Sequence, residues 1–216
     1  MDEEIEALIE AMRKQKQDYF LPPEWDGKVV FLKNTKSGTR LDLFAGGRAN
    51  GTPINGWQSN GSTAQQWKLE KRGNSIWNSW AFQNVASGLY LTLWDDSPQN
   101  GTKVVGWEQA IAKETSGLFT IQSSIGRCNF PGLQEWLILP KGMDNGKCLI
   151  QNAMTCQYLD LHPGLQENGT RVQGWQREEL MGNQVWMIED ATVDISSEVA
   201  DGICFMNGHW TGKATC

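Results

Sequence analysis

Two aspartates in this chain sit where a strand-forming sequence seldom carries charge. Asp42 lies between Leu41 and Leu43, and Asp160 lies between Leu159 and Leu161. Each is followed by an Asn-Gly-Thr (Asn50-Gly51-Thr52, Asn168-Gly169-Thr170) and then by a Gly-Trp (Gly56-Trp57, Gly174-Trp175). An ionised carboxylate only accepts hydrogen bonds, an amide both donates and accepts, and an indole offers a flat apolar face. Brought together, these groups can hold a ligand with several hydroxyls and one apolar face. An outward aspartate within a strand is otherwise disfavoured, so both are candidates for function.

The same phrase occurs once more without the acid, as Leu91-Thr92-Leu93, Asn100-Gly101-Thr102 and Gly106-Trp107. In all three copies the residue between the leucines precedes the Asn by eight positions and the Trp by fifteen. Two gaps held constant in every copy mark an internal repeat of roughly fifty residues. Each copy opens on a strand-like segment: Val29–Lys33, Ala81–Asn84 and Cys148–Asn152. The Leu-x-Leu strand, an Asn-Gly hairpin turn and the Gly-Trp strand follow. A fourth strand is expected at Gln65–Leu69, Gly117–Ile121 and Gln184–Ile188. Alternating apolar residues with no helical period predict an all-β body. Side-chain alternation turns Asp42, Thr92 and Asp160 away from the core.

Repeats of this length ending in Gln-x-Trp, in register with the acid and the third-strand Trp, resemble the ricin B-chain-type β-trefoil lectins. The Gly-Trp-Gln strand and the Asn-Gly-Thr turn look most like the mushroom members, the galactose- and N-acetylgalactosamine-binding subgroup. The resemblance covers residues 28–190 and implies a β-trefoil of three four-strand repeats. In that family the second-strand Asp accepts vicinal hydroxyls of a pyranose, the third-strand aromatic stacks on its C–H face, and amides complete the network. Carried over residue by residue, it implies a third-repeat site of Asp160, Gln173, Trp175, Asn183 and Gln184. The first-repeat site would comprise Asp42, Asn55, Trp57 and Gln65, with Ala64 in place of the Asn. The second repeat has Thr92, Val105, Trp107 and Gly117 and reads as decayed. Phe44, Trp94 and His162, two positions beyond the acid slot, and the turn residues Asn50 and Asn168 are further candidates for sugar contact. Trp67 and Trp186 are expected in the core, and the persistence of Trp107 without an acid gives that Trp a packing role too. The third site is expected to be the tighter.

The implied ligands are galactose- or N-acetylgalactosamine-terminated glycans of glycoproteins or glycolipids, as for an agglutinin. No cofactor or metal is expected, because carboxylate, amide and indole need no cation to hold hydroxyls. A net charge of −6 argues against nucleic acid, and no apolar run approaches membrane-spanning length. Only two histidines occur, His162 and His209, and no nucleophile–base signature surrounds them. The paired acids Asp95 and Asp96 precede Ser97-Pro98 in a loop, so they read as solvated rather than as a glycosidase pair. The five cysteines form no metal spacing and cannot all pair, which fits reduced thiols in a cytoplasmic protein that meets external glycans after release. The sequons at Asn50, Asn100 and Asn168 coincide with the repeat's turns and read as turn chemistry.

Residues 1–27 are expected to form a helical arm, with Ile5, Leu8, Ile9 and Met12 on one face, that packs on the trefoil or pairs two copies into a homodimer. The repeats are placed at 28–73, 74–124 and 146–190, with a surface insertion at 125–145 and a C-terminal extension at 191–216. Two other uses of such a chain are a glycan-targeting module within a larger toxin or enzyme, and a trefoil protease inhibitor acting through the insertion.

Overall fold

The computed structural model describes residues 21, 23–72, 78–94, 97–110, 131–141, 146–179, 182–192, 205–206 and 209–210. The first repeat supplies β1 (Val29–Asn34), β2 (Arg40–Leu43), β3 (Thr52–Trp57) and β4 (Trp67–Lys71). The second supplies β5 (Ser79–Asn84), β6 (Tyr90–Leu93), β7 (Thr102–Trp107) and β8 (Trp136–Pro140). The third supplies β9 (Lys147–Asn152), β10 (Tyr158–Leu161), β11 (Thr170–Trp175) and β12 (Val185–Asp190). First and fourth strands close a ring in the order β1, β4, β5, β8, β9, β12 and back to β1. Closure leaves this barrel without a free edge. Second and third strands form three hairpins, β2–β3, β6–β7 and β10–β11, whose third strands pair with one another around a pseudo-threefold axis.

The core follows from the repeated phrase. Both leucines of each triplet are fully buried, as are Trp67, Trp136 and Trp186. A buried indole N–H needs an acceptor, and each of these three finds the same one. Nε1 of Trp67, Trp136 and Trp186 donates to the carbonyls of Leu41, Leu91 and Leu159 at 3.1, 2.9 and 2.9 Å. The glycine of each Gly-Trp is set by close approach. A Cβ on Gly56, Gly106 or Gly174 would meet Leu161, Leu43 or Leu93 Cδ1 at 2.5, 2.7 or 2.6 Å. The leucine and glycine come from different repeats in every case, so the strand pattern and the threefold packing specify each other.

Three expectations are corrected. Trp136–Pro140 is the second repeat's fourth strand and pairs with β5 and β9, so it belongs to the barrel and not to a surface insertion at 125–145. The extra chain therefore enters between β7 and this strand; residues 117–121, expected to be the strand, lie outside the described residues. The glutamines of Gln-x-Trp stand in short 3₁₀ turns (Thr63–Gln65, Pro131–Gln134, Gly182–Gln184) before the fourth strands. The arm is not separate from the domain at residue 27, because Leu21 and Trp25 lie in the core cluster. The helix expected earlier in the arm lies outside the described residues. Of the C-terminal extension, β13 (Phe205–Met206) pairs with β14 (His209–Trp210).

Candidate functional sites

Each 3₁₀ turn folds back over the second strand of its own repeat and covers the residue between the leucines. Asp42, Thr92 and Asp160 do face away from the leucine core, yet they are buried, with exposures of 5%, 0% and 1%. Their cross-strand neighbours are Asn55, Val105 and Gln173. The outward face of this strand is thus a covered slot, which strand alternation alone could not reveal.

The third slot is the most polar. Asn183 Nδ2 donates to Asp160 Oδ2 at 2.7 Å, and Gln173 Nε2 lies 3.4 Å from Oδ1. Burial pushes the Asp160 carboxyl above the usual aspartate range, opposed by amide hydrogen bonds from Gln173, Gln184 and Asn183 and by the nearby His162. Asn183 Oδ1 is buried with no donor among the described residues. A buried acceptor left open costs free energy that an incoming hydroxyl would recover. Beside it, Trp175 is half-buried, donates Nε1 to Glu178 Oε1 at 2.8 Å, and stacks against His162 with ring centroids 5.4 Å apart and planes 15° apart.

In the first slot burial also raises the Asp42 carboxyl, opposed by an amide hydrogen bond from Gln65. Ala64 stands where the third slot has Asn183, so Asp42 lacks that donor. Trp57 is half-buried and Phe44 is exposed at the rim. The second slot is neutral and its threonine is satisfied within the repeat, while the buried Trp107 Nε1 has no acceptor among the described residues. Thr92 Oγ1 donates to the Tyr90 carbonyl at 2.8 Å and accepts from Gln134 Nε2 at 3.1 Å. Val105 closes the cross-strand side, and Trp107 is buried against Trp94, edge to face at 5.3 Å.

Gln134 revises the reading of this repeat. The fourth-strand amide is present, two residues before Trp136, and Gly117 is not its counterpart. In all three repeats the glutamine is buried and uses both ends of its amide on backbone. Gln65, Gln134 and Gln184 donate to the carbonyls of Gln58, Glu108 and Gln176 at 2.9, 2.7 and 2.7 Å. Their Oε1 atoms accept from the N–H groups of Asn60, Ala110 and Glu178 at 3.2, 2.8 and 2.9 Å. Gln65 and Gln184 therefore brace the slots instead of lining an open surface. The turn residues are occupied too: Asn50, Asn100 and Asn168 Oδ1 each accept at 2.7 Å from the N–H of Glu108, Gln176 and Gln58, in a different repeat. This places Asn168 beside the first-repeat Trp57 and Asn50 beside Trp107, as supports. Sequence reasoning also missed Glu178, which has no counterpart carboxylate at Asn60 or Ala110. The visible signal for Gln134 was a third Gln-x-Trp, Gln134-Glu135-Trp136.

Residues 15–107 match the family model described as ricin-type beta-trefoil lectin domain-like. Among curated protein sequences, none matches this chain. Three similar solved structures share the fold. The Rhizoctonia solani agglutinin is 27% identical, with 79% of this chain and 96% of that one covered and a TM-score of 0.59. A ricin B-like lectin of Macrolepiota procera, solved in complex with lactose, is 25% identical over 76% of this chain and 96% of its own, with a TM-score of 0.57. An exo-β-1,3-galactanase from Clostridium thermocellum is 25% identical over 76% of this chain, but only 30% of that enzyme is covered, with a TM-score of 0.61. The architecture is a β-trefoil.

Proposed function

We propose that this chain is a lectin that binds galactose- or N-acetylgalactosamine-terminated glycans through the first and third slots, the second being silent. The observation that carries the reading is the third slot, where a buried carboxylate and the open acceptor of Asn183 lie in one repeat with a half-buried Trp175. Asp160 would take neighbouring ring hydroxyls, Asn183 and Gln173 would orient it and share the hydroxyls, and Trp175 with His162 would face the ring. Asp42, Asn55 and Trp57 offer a reduced version. The lactose complex of the Macrolepiota procera lectin supports a galactoside as the ligand. No step requires a metal, so protein dialysed against EDTA should bind unchanged.

A glycan array identifies the terminal sugar, and calorimetric titration with a simple galactoside tests the slots. Losing a carboxylate that accepts hydroxyls costs about 1.5–3 kcal/mol, or roughly ten- to a hundredfold in affinity per site. Asp42→Ala combined with Asp160→Ala should abolish binding, and Thr92→Ala should leave it unchanged. Normal binding by the double variant would sink the proposal. A second reading, a glycan-targeting module of a larger enzyme, is favoured by the galactanase, where the matched trefoil is a fraction of the chain.

A further inference from the structure

The hydrogen bonds of the three glutamines and the three turn asparagines join into one pattern that repeats around the axis. In the third repeat, the N–H of Gln176 donates to Asn100 Oδ1 at 2.7 Å, and the carbonyl of the same Gln176 accepts from Gln184 Nε2 at 2.7 Å. Gln184 ends the 3₁₀ turn whose Asn183 donates to Asp160 Oδ2 at 2.7 Å. Its Oε1 accepts from the N–H of Glu178, whose own carboxylate receives the Trp175 indole N–H. In the first repeat the order is Asn168, Gln58 and Gln65, the last in the 3₁₀ turn that packs on the Asp42 strand. In the second it is Asn50, Glu108, Gln134 and Thr92. The chain of contacts crosses a repeat boundary each time: turn of repeat one to slot two, turn two to slot three, turn three to slot one. Backbone bonds from Gly51, Gly101 and Gly169 to Gly106, Gly174 and Gly56 follow the same crossing.

We propose that each turn asparagine is a positioning residue for the slot of the next repeat, so that Asn100 sets the Asp160 slot and Asn168 sets the Asp42 slot. The geometry explains why the second repeat keeps its Asn-Gly-Thr turn although its own slot has no acid: that turn serves its neighbour. Pinning both backbone polar groups of Gln176 fixes where the Gln184 amide can lie, and with it the turn that holds Asn183 against Asp160 at no further cost in ordering. If the turns only stabilised the fold, losing one would loosen both slots alike.

Two measurements on the full chain separate these cases, and only the second rests on the lectin reading. First, carboxyl-carbon NMR follows the titration of Asp42 and Asp160 in Asn100→Ala and Asn168→Ala. A loosened turn weakens the amide hydrogen bonds that lower each carboxyl, which disfavours the carboxylate. Asn100→Ala should therefore raise the titration midpoint of Asp160 and leave Asp42 in place, and Asn168→Ala should do the reverse. Second, the same substitutions are combined with Asp42→Ala, which leaves only the third slot, or Asp160→Ala, which leaves only the first. Asn100→Ala should weaken galactoside binding roughly three- to tenfold in the Asp42→Ala protein, the scale of one neutral hydrogen bond. In the Asp160→Ala protein it should leave the affinity where it was. Asn100→Asp keeps the Oδ1 acceptor and should recover most of the loss. Titrations that move together, or not at all, overturn the assignment. A crossed titration pattern in a protein that binds no galactoside upholds it and removes the lectin reading instead.

Discussion

The second and third repeats share a scaffold and differ in what they enclose. Both have the buried leucine pair, the indole donating to the first leucine's carbonyl, and the glutamine bonded at both ends. In the third repeat this frame surrounds a carboxylate, two further amides and an acceptor with no donor among the described residues. In the second it surrounds a threonine whose donor and acceptor are both used, with a valine across the strand. The frame is the same with and without an acid, so Gln-x-Trp and the Asn-Gly turn serve the fold and the contacts between repeats in both. Under the proposed function, the residue between the leucines is the one that meets the ligand.

The shared frame is where the largest effect is expected. Trp136→Ala and Trp186→Ala should each cost about 3–5 kcal/mol in chemical denaturation, a large part of a domain's stability. A mild loss for Trp136 alone would break the equivalence of the two repeats. Acid comes next, through what they do not share. Both carboxyls are held above the ordinary aspartate value of 3.8, chiefly by burial. The proposed binding uses the ionised form, so affinity should fall with decreasing pH while free aspartates are still ionised. Stability should run the opposite way. The folded state keeps protons that the unfolded chain has released between 3.8 and the raised value, so stability drops as pH rises through that window. Asp42→Asn should remove its share of the drop, seen as a flatter melting temperature against pH, while silencing the first slot.

Comparison of the two acid slots gives a smaller difference. Asp160 is oriented by Asn183, and Asp42 faces Ala64. The third slot should bind more tightly by about 0.5–1.5 kcal/mol, or roughly two- to tenfold, when Asp42→Ala is titrated against Asp160→Ala. Equal affinities would show that Asn183 adds nothing. The smallest effect concerns the turn after each first strand. Gly38 and Gly88 have φ of 76° and 77°, whereas the third repeat places Cys156 there with φ of 61°. A left-handed non-glycine costs about 1–2 kcal/mol, partly offset by the flexibility glycine adds to the unfolded chain, about 0.5–1 kcal/mol. Cys156→Gly should therefore raise the melting temperature slightly and leave binding alone.

Most of the architecture was legible because the repeat announces itself in fixed gaps between Leu-x-Leu, Asn-Gly and Gly-Trp. The second repeat's fourth strand was misplaced because extra residues stretch the distance from Trp107 to Gln134, and a search at constant spacing stops at the wrong apolar run. Asp42 and Asp160 were legible as candidates by residue type and position. Their burial was not, since it depends on a 3₁₀ turn contributed from later in the chain. The supporting roles of Asn50, Asn168, Gln65 and Gln184 were hidden for the same reason: their partners lie across a turn or in another repeat, where sequence spacing carries no distance.

The cyclic order of the turns has a consequence for how the molecule comes apart. In an open repeat array, end units have one neighbour and can fray singly, so stability is a sum over units and their contacts. Here the turn of the last repeat bonds the first, through Asn168 and Gly169, and β12 pairs with β1. No unit is terminal. Removing any one breaks two junctions at once and opens the barrel, so partial assemblies of one or two units have no intermediate of comparable free energy to rest in. Unfolding of this body should be a single all-or-none event.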